Sequence, residues 1–214
     1  MASLHHVASG DTLRSLARRF FADPELAAAL AAANGLAPSD KLVVGQDLLV
    51  PYITRRHLVS ESDTLFDLAE LHYGDVAMFP MLAAANHIAA PYLLIPGQHL
   101  LIPDLVNVSH HIVYPGDTLR GFAIRWYNDE RCDVLIEYAN HLATLDDIEV
   151  GQKLIRPALN RRHVVEEFET WEQMSQRWYG DPLLKGLIAA ANHLAVDQPP
   201  PPGQTLFFPD LAEF

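Results

Sequence analysis

Several features that would narrow the class of this protein are missing from its sequence. One cysteine, Cys132, occurs in 214 residues, so no disulfide forms within the chain and nothing indicates adaptation to an oxidising compartment. No apolar run approaches the ~20 residues that a membrane helix needs. The opening residues MASLHHVASGDTL lack the basic and apolar segments of a signal peptide. We expect cytoplasmic synthesis without a signal peptide and no membrane partner.

Positive charge is also scarce. The chain has 15 Lys and Arg against 27 Asp and Glu, a formal net charge of −12. Such a chain is repelled over long range by phosphate backbones and by anionic membrane surfaces. The composition therefore argues against nucleic acid as a partner.

Signatures of catalysis and metal binding are missing as well. The sequence has no phosphate loop of the GxxxxGK type, no GxSxG elbow and no cysteine-protease signature. Three of the 11 histidines follow an asparagine at matching positions, His87, His141 and His193, but no HxxxH or CxxC motif accompanies them. We expect no enzymatic activity, no metal and no cofactor.

The chain does contain a fourfold internal repeat. Each repeat begins at a histidine, ends at a proline and spans 47 residues, and the connectors have 5, 7 and 5 residues. The repeats are residues 5–51, 57–103, 111–157 and 163–209. A period of this size indicates an array of small supersecondary units, and we expect four small cores. The connectors leave open whether the units are separate or packed together.

Within one repeat the pattern predicts a strand, two helices and a second strand. A short alternating run such as HHVAS is typical of a strand, and the threonine after the next turn is suited to cap a helix. An aspartate starts the second helix, an asparagine closes it, and an apolar run ending in proline follows a Gly-Gln pair. We predict the α+β class, with four tandem βααβ modules, each a two-stranded antiparallel sheet packed under two helices.

Three residues depart from the pattern of the second helix. Pro80 is expected to kink or shorten that helix in the second repeat. Gly186 is expected to weaken the corresponding helix of the fourth repeat by ~1 kcal/mol relative to alanine. Cys132 stands where the other repeats have leucine or methionine, so we expect a buried apolar filler.

The repeats resemble the LysM module. The resemblance is carried by VASGDTLRSLARRF, AAANGL and VGQDLLVP in the first repeat and by IVYPGDTLRGFAIRWY, YANHL and VGQKLIRP in the third. The second and fourth repeats differ at the first turn, SESDTL and EFETW, but retain YGD, AAANH and PGQ. The resemblance implies a βααβ fold for all four repeats.

LysM modules commonly bind N-acetylglucosamine polymers, peptidoglycan or chitin, in a shallow groove between the turn after the first strand and the loop after the second helix. The resemblance implies such a site in the first and third repeats. A structural role for the same residues is the alternative, because glycine shapes turns, threonine caps helices and leucine fills cores. The glycan-binding candidates are Gly10, Asp11, Thr12, Leu13, Asn34 and Gly35, with Gly116, Asp117, Thr118, Leu119, Asn140 and His141.

The divergent turns point to a second function. In the fourth repeat Phe168, Glu169 and Trp171 replace the usual Gly, Asp and Leu. The segments FFAD, HYGD, WYND and WYGD between the helices also resemble a LysM variant of phage tails and other intracellular proteins. We therefore favour a non-enzymatic scaffold in the baseplate or tube of a contractile phage tail or related injection machine. Its partners would be other proteins of the assembly, with Trp171 and Trp178 as exposed interface anchors. The alternative for Trp178 is a structural one, in which it fills the helix face as we expect of Trp126 and Phe20.

The alternative is a peptidoglycan-binding protein whose repeats act as several weak sites together. Linking such sites raises avidity by roughly 10² to 10⁴ when geometry lets them engage at once. Both functions stay open at the level of the sequence.

Overall fold

The computed structural model describes residues 2–145 and 147–211, with the backbone alone at Asn107. Within these residues lie eight α-helices and eight strands, and the strands form small antiparallel sheets. The predicted α+β class is confirmed.

The elements recur with nearly constant length. The first helix of each repeat has nine residues and the second has seven, and a three-residue 3-10 turn precedes the second. The helices are α1 Leu13–Phe21, α2 Ala27–Ala33, α3 Leu65–Tyr73, α4 Phe79–Ala85, α5 Leu119–Tyr127, α6 Asp133–Ala139, α7 Trp171–Tyr179 and α8 Lys185–Ala191. The strands are β1 Ser3–His6, β2 Asp47–Val50, β3 Arg55–Leu58, β4 His99–Ile102, β5 Asp104–Ile112, β6 Lys153–Ala158, β7 Arg161–Val164 and β8 Thr205–Phe208.

The two strands of each repeat pair in the same register. His5 lies opposite Leu48, and the corresponding histidines lie opposite Leu100, Leu154 and Leu206. These four leucines are fully buried, so one face of every small sheet contributes to a core beneath the helices.

The threonine caps form as predicted. Thr12, Thr64, Thr118 and Thr170 each accept a hydrogen bond from the backbone N–H three residues on. Gln173 completes a capping box in the fourth repeat. Ser15 completes one in the first repeat that the sequence pattern did not single out.

Pro80 does not shorten its helix, so that expectation is wrong. After the 3-10 turn Val76–Met78, α4 begins at Phe79, which places Pro80 in the first turn. The backbone N–H that proline lacks has no helical partner at that position, and α4 keeps the seven residues of α2, α6 and α8. Cys132 is buried, as predicted.

An asparagine at the end of each second helix joins that helix to the second strand. In the third repeat, Asn140 Nδ2 donates to the carbonyl oxygens of Ile136 and Ile155, both at 2.8 Å, and Asn140 Oδ1 accepts from Ile155 N at 2.6 Å. The side-chain amide thus pairs with both backbone groups of one strand residue, as a neighbouring strand would. The corresponding asparagines are Asn34, Asn86 and Asn192.

The repeats pack in pairs. Of the described residues, one compact unit contains 2–53 and 160–211, and the other contains 54–145 and 147–159. In the first unit, Leu187 and Ala191 of α8 belong to the hydrophobic core of the first repeat. Each helix pair α2 with α8 and α4 with α6 is in direct contact. The fourth repeat also has a hydrophobic cluster of its own, which includes Trp171, Met174 and Leu206, so pairing extends the small cores of the first unit.

Each unit is also closed by contacts between residues near the ends of repeats. In the first unit, Tyr52 and Asp210 exchange two backbone hydrogen bonds of 2.9 and 3.1 Å. Asn160 Nδ2 donates to Tyr52 O at 2.9 Å. In the second unit, β5 extends back through the connector, and Asp104 lies opposite Ala158. The paired repeats are therefore held by backbone pairing as well as by helix packing.

We predict that Asn140→Ala lowers the free energy of unfolding by about 1–3 kcal/mol, because it removes three hydrogen bonds and leaves the polar groups of Ile155 without this partner. Urea unfolding of the full chain measures the change. Asn140→Asp is the second variant. It retains an acceptor for Ile155 N but sets a carboxylate oxygen against the carbonyl oxygens of Ile136 and Ile155, so at neutral pH its destabilisation should be at least as large. An alanine variant as stable as the wild type would contradict this role.

Gly186→Ala should stabilise the chain by about 1 kcal/mol, since alanine favours the helix and restricts the unfolded chain. A Cβ at residue 186 would lie 3.6 Å from Ala32 Cβ, an ordinary van der Waals distance. The thermal unfolding midpoint should therefore rise. A lower midpoint would show that α2 and α8 need the glycine for close approach.

Candidate functional site

The first turns of the first and third repeats present open surface. Gly10 and Gly116 have φ of +91° and +88°, a region that glycine enters without strain. A Cβ built at either residue would meet no other atom within 4 Å. The space above each glycine is therefore free to receive a ligand.

The aspartate of each turn is held by internal donors. Asp11 Oδ2 accepts from Ala8 N at 2.9 Å and from His5 Nε2 at 2.7 Å, which ties the turn to β1. The corresponding ring-to-carboxylate pairs are His57 with Asp63, His111 with Asp117 and His163 with Glu169. The sequence signal for these pairs is a constant separation of six residues, which our sequence interpretation did not use.

These contacts keep the turn carboxylates charged. The Ser60 N–H and the His57 ring lower the pKa of Asp63 to about 2, and equivalent donors lower the pKa of Asp11 and Asp117. Burial raises the pKa of Glu169, but the hydrogen bonds from His163 and from the Glu166 N–H outweigh it, so this pKa is also lowered. The carboxylates therefore hold the turn in shape.

The threonine, leucine and asparagine candidates also have structural contacts. Thr12 and Thr118 cap helices, while Leu13 and Leu119 are buried in the cores. The side chains of Asn34 and Asn140 bond to the second helix and second strand of their own repeats. At the threonine and leucine positions, a ligand would therefore contact mainly backbone groups.

The residues that follow the asparagines adopt left-handed backbone conformations. Gly35 and His141 have φ of +65° and +52°, and the His141 side chain is exposed. At the equivalent positions the imidazoles of His87 and His193 lie 2.5 Å from Asp129 and 3.4 Å from Asp23, each in the paired repeat. His87 and His193 thus contribute to repeat pairing.

Backbone hydrogen bonds join the end of the first strand, where the first turn begins, to the loop before the second strand. In the first repeat, Val7 N donates to Gln46 O at 2.8 Å and Gly45 N donates to Val7 O at 2.9 Å. The same two bonds recur in every repeat. Exposed Val43 and Val44 precede this junction. Turn and loop therefore form one surface in each repeat.

The second repeat carries an aromatic cluster that sequence reasoning missed. The ring centroids of Phe66 and Phe79 are 4.4 Å apart, and those of Phe79 and Tyr92 are 5.2 Å apart. Phe66 lies in the first turn of α3, Phe79 begins α4, and Tyr92 lies in the loop after α4. Phe66 is 44% exposed and the other two are half-buried. Together they form a partly exposed aromatic cluster that joins the starts of α3 and α4 to the loop after α4.

In the other three repeats, ion pairs link the first helix to the 3-10 turn before the second helix or to the second helix itself. They are Arg14 with Glu25, Arg120 with Glu130, and Lys185 with Glu172. All six side chains are substantially exposed. This surface of the second repeat is therefore apolar where the other repeats carry ion pairs. The contact was missed because Phe66 and Phe79 lie in different helices, and their spacing belongs to neither helical period.

The predicted interface tryptophans are not prominent on the surface. Trp171 is 3% exposed and its Nε1 donates to Gln198 O at 2.7 Å, so the expectation of an exposed anchor is wrong there. The reason is position, since Trp171 begins α7 at the core-facing site that Leu13 fills in the first repeat. Trp178 is half-buried and packs 4.7 Å from the ring of Phe208.

Within residues 2–145 and 147–211, no group of three His, Cys, Asp or Glu side chains is placed to hold a metal ion. In the same part of the chain, no helix has the length and apolar character required to cross a membrane.

The βααβ elements and the glycine turns define the class of protein. The family model of the LysM domain matches residues 5–51, 57–103 and 111–157, about two thirds of the chain. This chain belongs to the LysM domain family.

The chain also resembles longer proteins. Two esterases of Mycobacterium tuberculosis, from strains H37Rv and CDC 1551, are 42% identical to it over 155 residues, 72% of this chain and 33% of each esterase. The chain thus spans about a third of the length of these curated relatives.

Two solved structures are also similar in part. The Bacillus cereus spore cortex-lytic enzyme SleL shares 30% identity over 48% of this chain and 22% of that structure, with a TM-score of 0.21. A receptor-like kinase ectodomain shares 14% identity over 73% of this chain and 90% of its own, with a TM-score of 0.22.

Stability should fall in acid partly through Asp63. Folding lowers the pKa of this carboxyl from 3.8 to about 2, so its contribution is present above about pH 4 and is lost as pH falls through about 2. In Asp63→Asn, the thermal midpoint should be lower at neutral pH and should decline less between about pH 4 and pH 2. Parallel declines in the two proteins would contradict this assignment.

Proposed function

We propose that this chain binds polymers of N-acetylglucosamine, such as peptidoglycan or chitin, and that the fourth repeat completes a LysM array. Three family matches support glycan binding. The fourth repeat has the same order of elements and the same strand register as the first three, which supports including residues 163–209 as a module.

The observation that carries the proposal is the aromatic cluster of the second repeat. Sugar rings have apolar faces, and binding sites for small molecules combine apolar and aromatic walls with a few polar groups. Phe66, Phe79 and Tyr92 provide such walls, and exposed Leu93 and Ile95 extend the apolar surface of the loop. We assign the second repeat the largest share of the affinity.

The first and third repeats would contribute differently. Their glycine turns leave open space above Gly10 and Gly116, and their turn side chains are already bonded internally. We propose that a glycan contacts the backbone of these turns, so that each site is weak by itself. Connected sites gain avidity when one polymer reaches several of them.

We further propose that this stretch binds without catalysing a reaction. The histidines and carboxylates that recur in the repeats are paired with each other across turn and strand. The relatives in M. tuberculosis are named esterases, and about two thirds of their length lies outside the match. The match covers a third of each esterase, which is consistent with a cell-wall-binding segment inside those longer proteins.

The phage-tail scaffold remains the alternative, with less in its favour. Neither the family match nor the esterase relatives support a tail or baseplate. The burial of Trp171 also removes one of the two contacts that the scaffold hypothesis named.

Binding of the full chain to soluble chitohexaose and to insoluble peptidoglycan tests the glycan proposal, by calorimetry and by co-sedimentation. Phe66→Ser should weaken binding about fivefold, since one aromatic contact contributes about 1 kcal/mol. Phe20→Ser is the matched control. Phe20 is 39% exposed in the first repeat and packs on His5, so its loss should leave binding unchanged. Absence of binding by the wild type to both polymers would refute the proposal.

A further inference from the structure

The first turn of the fourth repeat exposes a phenylalanine where the other repeats have glycine or serine. Phe168 aligns with Gly10, Ser62 and Gly116 and is 86% exposed. Its φ of +66° lies in the left-handed region, which is unfavourable for a bulky residue. Because little of the ring is buried, the Phe168 side chain adds little to the stability of the repeat.

An open concavity of about 670 Å³ lies beside this ring. Phe168 and Pro182 contribute apolar surface to its lining, and the next residue, Leu183, is 84% exposed. Gln173 and Gln176 of α7 provide polar groups along the lining. The surface therefore combines exposed apolar side chains with hydrogen-bonding groups.

The surrounding charge is mainly negative. Glu169 pairs with Arg177 at 2.9 Å and Glu172 pairs with Lys185 at 2.6 Å. Glu166 and Glu167 are exposed, and neither forms an ion pair with any described residue. These two carboxylates directly precede Phe168 in the sequence and leave the turn with uncompensated negative charge.

We propose that this turn is a docking surface for a protein segment that carries basic and apolar side chains. Lysine or arginine of the partner would face Glu166 and Glu167, while an apolar side chain would pack against Phe168 and Leu183. Complementary charge around an aromatic anchor is typical of protein interfaces. The phenylalanine ring occupies the position that stays open at Gly10 and Gly116, which distinguishes this turn from the glycan turns. The assignment does not depend on glycan binding.

The probe is an amphipathic peptide, Ac-KLKFKLK-NH2, titrated into the isotope-labelled full chain and followed by NMR. Shifts should concentrate at residues 166–169 and 182–183. Phe168→Gly should weaken binding at least fivefold. Glycine suits the left-handed turn, so the variant should stay folded. A Glu166→Gln and Glu167→Gln double variant should weaken binding at least threefold and reduce its dependence on salt.

Leu4→Ser is the control, because Leu4 is an exposed apolar residue of β1 in the same compact unit. It should bind the peptide as the wild type does. The proposal is overturned if the turn shows no shifts, if Phe168→Gly binds equally well, or if the glutamate counterpart Ac-ELEFELE-NH2 binds as tightly. Phe168→Gly should retain chitohexaose binding, so failure of this proposal is distinguishable from failure of the glycan proposal.

Discussion

The asparagine that closes each second helix is the interaction on which the repeat depends. Its amide pairs with both backbone groups of one residue in the second strand and with a carbonyl of its own helix. A two-stranded sheet is marginal in water by itself. The amide acts in place of a further strand and fixes the distance between helix and sheet, so the core beneath them closes in the same way in all four repeats.

Many polar side chains of the repeats are hydrogen-bonded within the fold. Binding therefore depends on the side chains and backbone groups that stay exposed. Asp11 and Thr12 are bonded within the first turn, and Asn34 is bonded to β2. The repeats differ at positions that the fold does not constrain, such as Phe66 and Phe168. The second repeat therefore presents an aromatic cluster and the fourth an exposed aromatic turn. One scaffold thus supports different surfaces, which accounts for the divergence of the turns.

Pairing of the repeats is a second constraint. Each repeat is small and buries a limited fraction of its surface, so contact between second helices extends the cores. Gly186 lies beside Ala32 where α8 meets α2, and His87 reaches Asp129 where the second and third repeats meet. Pairing explains two residues with no apparent role in a single module, His87 and His193.

The sequence by itself determined the repeat, the α+β class, the threonine caps and the burial of Cys132, because these follow from local spacing and from apolar periodicity. The tertiary structure decided the rest. Pro80 fits because a 3-10 turn moves the helix start to Phe79. Trp171 faces the core, and Phe66 meets Phe79 across two helices. The packing of the first repeat against the fourth depends on contacts between residues far apart in the chain. Local sequence patterns cannot predict such contacts.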